Sequence, residues 1–403
     1  MTERLYYDDA YLTSFDARVT DCTPDEDTYL VRLDRSAFYP TSGGQPYDTG
    51  TLGGANILDV FVQNGDVFHR TDAPLTVGSE VHGEIDWPRR FDHMQQHCGE
   101  HMLANAVWRQ LGGHVIGLHL GAEVSSIDAD LPDGRTRVTE EELRALEDAV
   151  NENIQRDVPV VCSFPDEAAL KSMPLRKPPT VKEHIRIVAI GDFEYVACGG
   201  THPSSSGQVG LLKIVDARPS KGKLRLSFVC GKRAFRDYRR VYDLAHAAAA
   251  ELSTAVENLP GAVTALRAHL REAEHAAAVL RREKLLESVP ALLESAPRAK
   301  SGVRVVAETV AADMPLLRDL ATAIIRQGDA IALLAAPQGE SNVFVFARSQ
   351  NVGEDMGALL AACARQQGGK GGGKPDFAQG AAQESGAAQR AAQMLKEELA
   401  AGA

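Results

Sequence analysis

The segment His97-Cys98-Gly99-Glu100-His101 places two imidazoles four positions apart. On a helix this spacing puts both on one face, close enough to share one ion. About a hundred residues further on, Cys198-Gly199-Gly200-Thr201-His202 adds a thiol and a third imidazole, with glycines that let the chain turn both toward a common point. Three imidazoles and one thiolate are a donor set suited to Zn2+, one ion per chain. Each half alone says little: a histidine pair at this spacing is commonly a surface feature, and a cysteine beside Gly-Gly commonly a turn with a buried thiol. The two together are more specific. Glu100 stands immediately before the second histidine, unlike the glutamate of the metalloprotease helix motif, which disfavours peptidase chemistry. Glu100 reads either as a proton-transfer group or, preferably, as an outer partner orienting a ligand histidine. Four protein donors close a tetrahedron, whereas a hydrolytic zinc usually keeps one position open. The sequence leaves open whether one ligand is loose, the ion becomes five-coordinate, or it only positions a substrate.

These residues need elements to hold them. Residues 1 to about 88 predict a small β-barrel: short runs at Thr28–Leu33, Ile57–Val62 and Glu80–Ile85 are separated by Thr41-Ser42-Gly43-Gly44, Gly53-Gly54 and Asn64-Gly65. In Phe38-Tyr39-Pro40-Thr41-Ser42-Gly43-Gly44-Gln45-Pro46 the glycines permit positive φ and close backbone approach to a ligand, though a tight turn explains the spacing equally. A helix follows from Phe91, stopped at Leu111-Gly112-Gly113. A hairpin is expected at His114–Leu120 and Glu123–Ala129, then a helix opened by Thr139 and Glu142 at capping-box spacing. Strands are expected at Ile185–Ile190, Gly210–Val215 and Leu224–Cys230.

From Leu252 through Val256, Leu259, Val263, Leu266, Leu270, Ala273 and Ala277 to Leu280, apolar residues alternate steps of four and three. This is a heptad seam, read either as a dimerising coiled coil or as a helix packed on its own domain, with Pro260 at a helix start. The remainder predicts strands at Val303–Val310, Ala330–Ala336 and Val343–Ala347, helices at Met314–Arg326 and Met356–Gln366, a glycine cluster from Gly368 to Gly373, and a helical tail from Ala387 to Leu399. The expected class is α+β in four parts: a barrel at 1–88, a zinc-binding α+β domain at 89–240, a helical connector at 241–298 and a C-terminal α/β domain at 299–403.

Composition narrows the alternatives. The chain has 403 residues, 44% hydrophobic and 24% charged. No apolar run reaches the roughly 20 residues that span a bilayer. The start, Met1 to Asp9, lacks a basic-then-apolar leader, so a cytoplasmic protein is expected. Six scattered cysteines argue against a disulfide framework. A net charge of −12 excludes indiscriminate nucleic-acid binding, so any RNA must meet local basic patches.

Phe38–Pro46, His97–His101 and Cys198–His202, in this order, resemble the editing domain of alanyl-tRNA synthetases, and more closely the free-standing AlaX-type editing proteins. Gln95-Gln96-His97 through Leu103, Gly117-Leu118-His119-Leu120-Gly121 and Ser125-Ser126-Ile127-Asp128 extend the likeness. The run from Gly368-Gly369-Lys370 through Lys374-Pro375-Asp376-Phe377 to Gly380 is similar to the signature of the synthetase C-terminal domain, with Lys374 where arginine is frequent. Ser42 likewise stands where the synthetases commonly have glycine.

The resemblance implies hydrolysis of Ser-tRNA(Ala), or also Gly-tRNA(Ala), while Ala-tRNA(Ala) is spared, with zinc held by His97, His101, Cys198 and His202. It implies an amino-acid pocket shaped by Thr41, Gly43, Gly44, Gln45 and His119. It also implies tRNA contacts at Lys370 and Lys374, a free-standing protein without an aminoacylation domain, and a homodimer through the connector or the C-terminal block. Arg89, Arg90, Lys221, Lys223, Lys232 and Arg233 are further candidates for phosphate contacts, with solvated surface charge as the alternative. A non-catalytic tRNA-binding protein with a structural zinc shares every motif, and threonyl synthetase editing domains share a related His/Cys pattern.

Overall fold

The computed structural model describes residues 1–179, 184–299, 302–339, 341–383 and 393, and divides into two compact units, Met1–Ala248 and Ala249–Ala403. The molecule is a mixed α+β protein built on several sheets. No helix among the described residues is long and apolar enough to cross a membrane.

In the first unit, β1 (Glu3–Arg4) precedes β2 (Ser14–Asp25), where Phe15, Ala17 and Val19 point inward and Asp16, Arg18 and Thr20 outward. After β3 (Thr28–Leu33) comes β4 (Arg35–Ser36), which pairs in parallel with β1. β5 (Gly50–Leu52), β6 (Ala55–Gln63), β7 (Asp66–Thr71) and β8 (Glu80–Ile85) follow. Strands β2-β3-β7-β6-β5-β8 close into a barrel around Val31, Leu33, Leu52, Val60 and Val67. The Gly53-Gly54 and Asn64-Gly65 pairs all have positive φ and make the two-residue hairpin turns expected of them. β2, the longest barrel strand, was not among the expected runs: Asp16, Asp21, Pro24 and Asp25 are poor strand formers that mask its alternation of Phe15, Ala17 and Val19.

Helix α1 (Trp87–Leu111) starts where the Asp86 side chain accepts from Arg89 N–H and ends at Gly112 in the left-handed region, φ 64°. β9 (His114–Leu120) and β10 (Ser125–Asp130) form the expected hairpin, and α2 (Glu140–Gln155) opens with the Thr139/Glu142 capping box. β11 (Val160–Ser163), α3 (Glu167–Ser172), β12 (Ile187–Ile190) and β13 (Glu194–Ala197) follow. β14 (Leu212–Ser220), β15 (Lys223–Cys230) and α4 (Lys232–Glu251) come next. The sheets are β14-β15-β10-β9 and β11-β12-β13. Helices α1 and α2 pack with them into one core that includes Met102, Val107, Val150, Ile127, Val188 and Phe228. Gly99 permits this packing: a Cβ there would lie 2.3 Å from Cys230 Sγ.

In the second unit, α5 (Leu259–Glu287) has Pro260 in its first turn, as expected. The seam is shorter than its sequence pattern. Leu252 lies beyond the end of α4 and Val256 in a separate 3-10 turn, so neither continues α5. No residue of α5 is buried, and Val263, Leu266, Leu270 and Leu280 are exposed. After α6 (Val289–Ser295) come β16 (Arg304–Thr309), α7 (Met314–Arg326), β17 (Ala330–Gln338) and β18 (Ser341–Arg348). α8 (Met356–Gln366), β19 (Lys370–Gly373) and β20 (Phe377–Ala382) complete the unit.

The sheet order is β16-β17-β18-β20-β19, with β16 and β17 parallel and the other pairs antiparallel. Alternate residues of β17 face α7 on one side and α8 on the other, so Ala330–Ala336 is apolar throughout. Most of the glycine cluster is the edge strand β19, paired with β20, and Gly371 must lack a side chain there because a Cβ would lie 2.2 Å from Leu360 of α8. The helix expected at Ala387–Leu399 lies outside the described residues.

The barrel is joined to α1 by one ion pair. Arg90 Nε donates to both oxygens of Asp48 at 2.9 Å, and its Nη2 donates to Ala37 O at 2.6 Å; both side chains are fully buried. Asp48→Ala leaves the guanidinium charged and unpaired. Urea unfolding should show a loss of about 3–5 kcal/mol, and a loss below about 1 kcal/mol would mean the pair does not anchor the helix.

Candidate metal centre

His97 and His101 leave the buried face of α1 one turn apart, with ring centroids 4.8 Å from each other. The segment after β13 brings the other two groups: the His202 ring lies 4.6 Å from His97 and 5.1 Å from His101. Donor atoms of His97, His101, Cys198 and His202 all lie within 4.8 Å of one another. Cys198 Sγ is 3.4 Å from Nε2 of both His97 and His202. His101 Nε2 is buried and makes no hydrogen bond to the protein, a rare condition that an ion would relieve. The donor set and this orphaned nitrogen fit Zn2+.

A second layer holds the first. Gln45, fully buried in the turn after β4, accepts from His97 Nδ1 at 2.8 Å and from Thr201 N–H at 3.2 Å, and donates to Thr201 Oγ1 at 2.8 Å. With its Nδ1 proton given to Gln45, His97 directs the Nε2 lone pair toward Cys198. Gly200 makes the room: a Cβ there would lie 2.2 Å from His97 Cε1 and 3.0 Å from Gln45 Oε1. Close approach, rather than the flexibility expected from sequence, is its role. Arg186 Nη1 donates to Cys198 O at 3.0 Å and Gly200 O at 2.8 Å, holding the loop, and the Gly200 N–H lies 3.3 Å from the sulfur.

The charges are strongly coupled. Burial opposes a Cys198 thiolate, but the three surrounding imidazoles outweigh it and hold the thiol well below its usual range. Burial likewise opposes a charged His101, yet the thiolate and Glu100 raise it to about 10. His202 is pushed down to about 3 by burial. The Glu100 carboxylate lies 2.9 Å from His101 Nδ1, in ion-pair range without hydrogen-bond alignment. Burial would raise its pKa, but His101 holds it below the usual carboxyl value.

A cavity of about 590 Å³ adjoins His97, His101, Glu100 and Cys198 and is also lined by Ser42, Gly43, Ile116, Leu118, Arg4, Tyr7, Arg176, Lys177 and Arg186. Of the pocket residues expected from sequence, only Gly43 lines it. Thr41 is exposed with its N–H on Val60 O, His119 is exposed on β9, and Gly44 is packed against Leu118. Gln45 faces the ligand cluster instead. Lys370 and Lys374 are exposed in the second unit.

Among the other candidate cations, Arg90 is consumed by Asp48. The Arg89 side chain bonds Tyr47 O, Lys223 pairs with Asp130, and Arg233 is buried against Asp92. Lys221 and Lys232 are exposed. Sequence reasoning missed Arg186, Thr201, Arg4 and Tyr7. Thr201 sat inside a recognised motif, but the others carry no spacing signal. Arg186 lies 5.3 Å and Arg4 5.8 Å from the Tyr7 ring centre.

A mixed α+β protein with a buried three-histidine, one-cysteine cluster opening on a cationic cavity is thus defined. Three family models match the chain: "tRNA synthetases class II (A)" over residues 3–89, "Threonyl and Alanyl tRNA synthetase second additional domain" over 185–227, and "DHHA1 domain" over 302–401. The first of these covers the barrel, so a stretch named for class II synthetases does have a counterpart here.

The chain is 32% identical over 406 residues to the alanyl-tRNA editing protein AlaX-L of Pyrococcus horikoshii, covering 94% of each. It is 35% identical to the alanine–tRNA ligase of Archaeoglobus fulgidus and 32% to that of Pyrococcus abyssi, spanning 42% of each ligase and 95% and 94% of this chain. The chain belongs to the alanyl-tRNA editing protein family. A solved C-Ala domain of the Aquifex aeolicus alanyl-tRNA synthetase matches 24% of the chain at 22% identity with a TM-score of 0.22, too slight a likeness to bear on the fold.

Gln45→Ala removes the acceptor of His97 Nδ1 without touching a ligand. Competition with a chromophoric chelator should show zinc affinity about 10- to 100-fold weaker. Cys198→Ala should abolish stoichiometric binding, and zinc retained in full by both variants would remove this assignment.

Proposed function

We propose that this chain is a zinc-dependent trans-editing hydrolase that deacylates mischarged Ser-tRNA(Ala), and also Gly-tRNA(Ala), while sparing Ala-tRNA(Ala). The observation that carries the reading is the His97, His101, Cys198 and His202 cluster at one wall of a cavity of ligand size. Family membership supports it, since the P. horikoshii relative is named for alanyl-tRNA editing.

Zinc held by those four residues would supply a Lewis acid for the ester carbonyl. The chain's own groups do the rest. Gln45 and Thr201 set the tautomer and angle of His97. Glu100, kept ionised beside His101, is a positioning carboxylate and the nearest base on the cavity wall. Gly43 and Ser42 bring backbone and a hydroxyl to the cavity, where a site that bonds the seryl hydroxyl can reject the alanyl ester that lacks it; this contact selects serine over alanine and does not account for glycine. Arg4, Lys177 and Arg186 offer positive charge to the terminal nucleotide. In this reading Thr41, Gly44 and His119 have no direct part in the pocket, since none of them lines the cavity.

The larger organisation belongs to the same proposal. Residues 1–88 serve as barrel, 89–240 as editing domain, 241–298 as connector and 299–403 as a tRNA-holding domain with Lys370 and Lys374. The exposed seam of α5 supports a homodimer. A cytoplasmic location suits a substrate of translation. The completeness of the donor set favours a second reading, a structural zinc in a non-catalytic tRNA-binding protein.

Deacylation of Ser-, Gly- and Ala-tRNA(Ala), with and without a chelator, separates the two. The first predicts loss of Ser-tRNA(Ala) at least about 100-fold faster than Ala-tRNA(Ala), abolished by zinc removal and by Cys198→Ala. Absence of hydrolysis by the zinc-loaded protein would overturn the first and favour the second.

A further inference from the structure

Helix α4 carries an exposed row that the metal centre does not use. Phe235, Tyr238 and Tyr242 are 53%, 61% and 49% exposed. The Tyr238 and Tyr242 rings are 6.1 Å apart and those of Tyr242 and His246 4.1 Å apart at 40°, so rings run along the helix at four-residue steps. The Arg239 guanidinium lies 4.5 Å over the Phe235 ring. Lys232 and Arg236 are exposed on the same helix and the flank of this row. Arg233 and Ala234, on the side turned to the core, are buried. The helix is anchored in its first turn and at buried Ala249, and most of its surface between them, this row included, faces solvent.

The chemistry of the row selects its occupant. Five cations fall on residues 232–240, against Asp237 and Asp243, in a chain whose net charge is −12. Arg233 is consumed by Asp92 and Arg240 by Asp237, which leaves Lys232, Arg236 and Arg239 facing outward. Val241 and Leu244 are also exposed on this helix, but a purely apolar partner would strip water from the interleaved arginines without pairing them, which is costly. Exposed, mutually tilted rings interspersed with guanidinium groups suit a flexible polyanion with π faces.

We propose that this face of α4 binds unpaired nucleotides of RNA, with bases stacking on Phe235, Tyr238 and Tyr242 and phosphates meeting Lys232, Arg236 and Arg239. The surface lies outside the cavity and holds the body of the molecule rather than its reacting end. That the RNA is the substrate tRNA rests on the function proposed above; the stacking surface itself does not.

The test uses the full-length, zinc-loaded protein and an uncharged tRNA(Ala) transcript, with binding read by fluorescence anisotropy across a salt series. Tyr238→Ala/Tyr242→Ala should weaken binding about tenfold. Arg239→Gln should lower the slope of log affinity against log salt by about 1. Thermal unfolding and hydrolysis of a small 3′-O-seryl adenosine ester should be unchanged in both. Parental tRNA affinity in the double variant overturns the proposal. So does a double variant that loses self-association in light scattering while keeping its RNA affinity, since the face would then be a contact between copies. Weakened RNA binding in a protein that hydrolyses neither ester nor charged tRNA supports this surface and sinks only the deacylase reading.

Discussion

A carboxamide withdrawn entirely from water must find protein partners for its oxygen and its N–H groups, because each unmade bond costs about 1–3 kcal/mol. Gln45 meets this demand with two chain segments 52 and 156 residues away: its oxygen serves His97 and Thr201 N–H, and its nitrogen serves the Thr201 hydroxyl. The barrel turn, helix α1 and the loop after β13 can be satisfied only in one relative arrangement. That arrangement also places three imidazoles around one sulfur. The metal geometry is thus a by-product of hydrogen-bond satisfaction one layer further out, and Gly200 is required because anything larger would occupy the space where the three segments meet.

Helix α1 is the hub through which this constraint spreads. Its middle is buried on every side, and several of its polar residues are answered by different neighbours. Gln96 exchanges hydrogen bonds with the Cys230 backbone at the end of β15, Asn105 bonds Glu194 of β13, and Arg90 engages Asp48 beside the barrel. Glu194 in turn pairs with Arg176 at the cavity. An apolar helix could bury the same area, but it would slide and rotate among nearly equal packings. Directional partners on three sides hold His97 and His101 in register, which a shared ion demands more strictly than a hydrophobic core does.

The residues that converge in the His97, His101, Cys198 and His202 cluster were legible in the sequence because a donor set for one ion combines residue type with spacing. Elements with strong local signals were legible too: the capping box at Thr139 and Glu142, the Gly-Gly and Asn-Gly hairpins, and α7 and α8 to the residue. What failed depends on burial. Gln45 carries the same letter whether it faces a ligand or His97, and only its burial decides. Arg186 is a lone arginine near a strand, with nothing to mark it as the clamp on Cys198. The glycines at 371 and 373 read only as a glycine cluster because what forbids their side chains, Leu360 of α8 at Gly371 and the β20 backbone at Gly373, comes from other elements. The seam from Leu252 continued on paper because periodicity does not register the break between α4 and α5.

Net charge and local charge act on different scales in this chain. At physiological salt the field of a surface charge fades over about 8 Å, so an overall −12 does not reach into a cavity walled by Arg4, Lys177 and Arg186. Arg176 adds little there, since Glu194 neutralises it. The acidic remainder still matters: it repels nucleic acid from most of the surface and leaves the cationic stretches as the places where a polyanion can dwell. Selectivity of this kind comes from the contrast between body and patch rather than from the strength of the patch, so a few cations suffice where a uniformly basic protein would bind any strand it met.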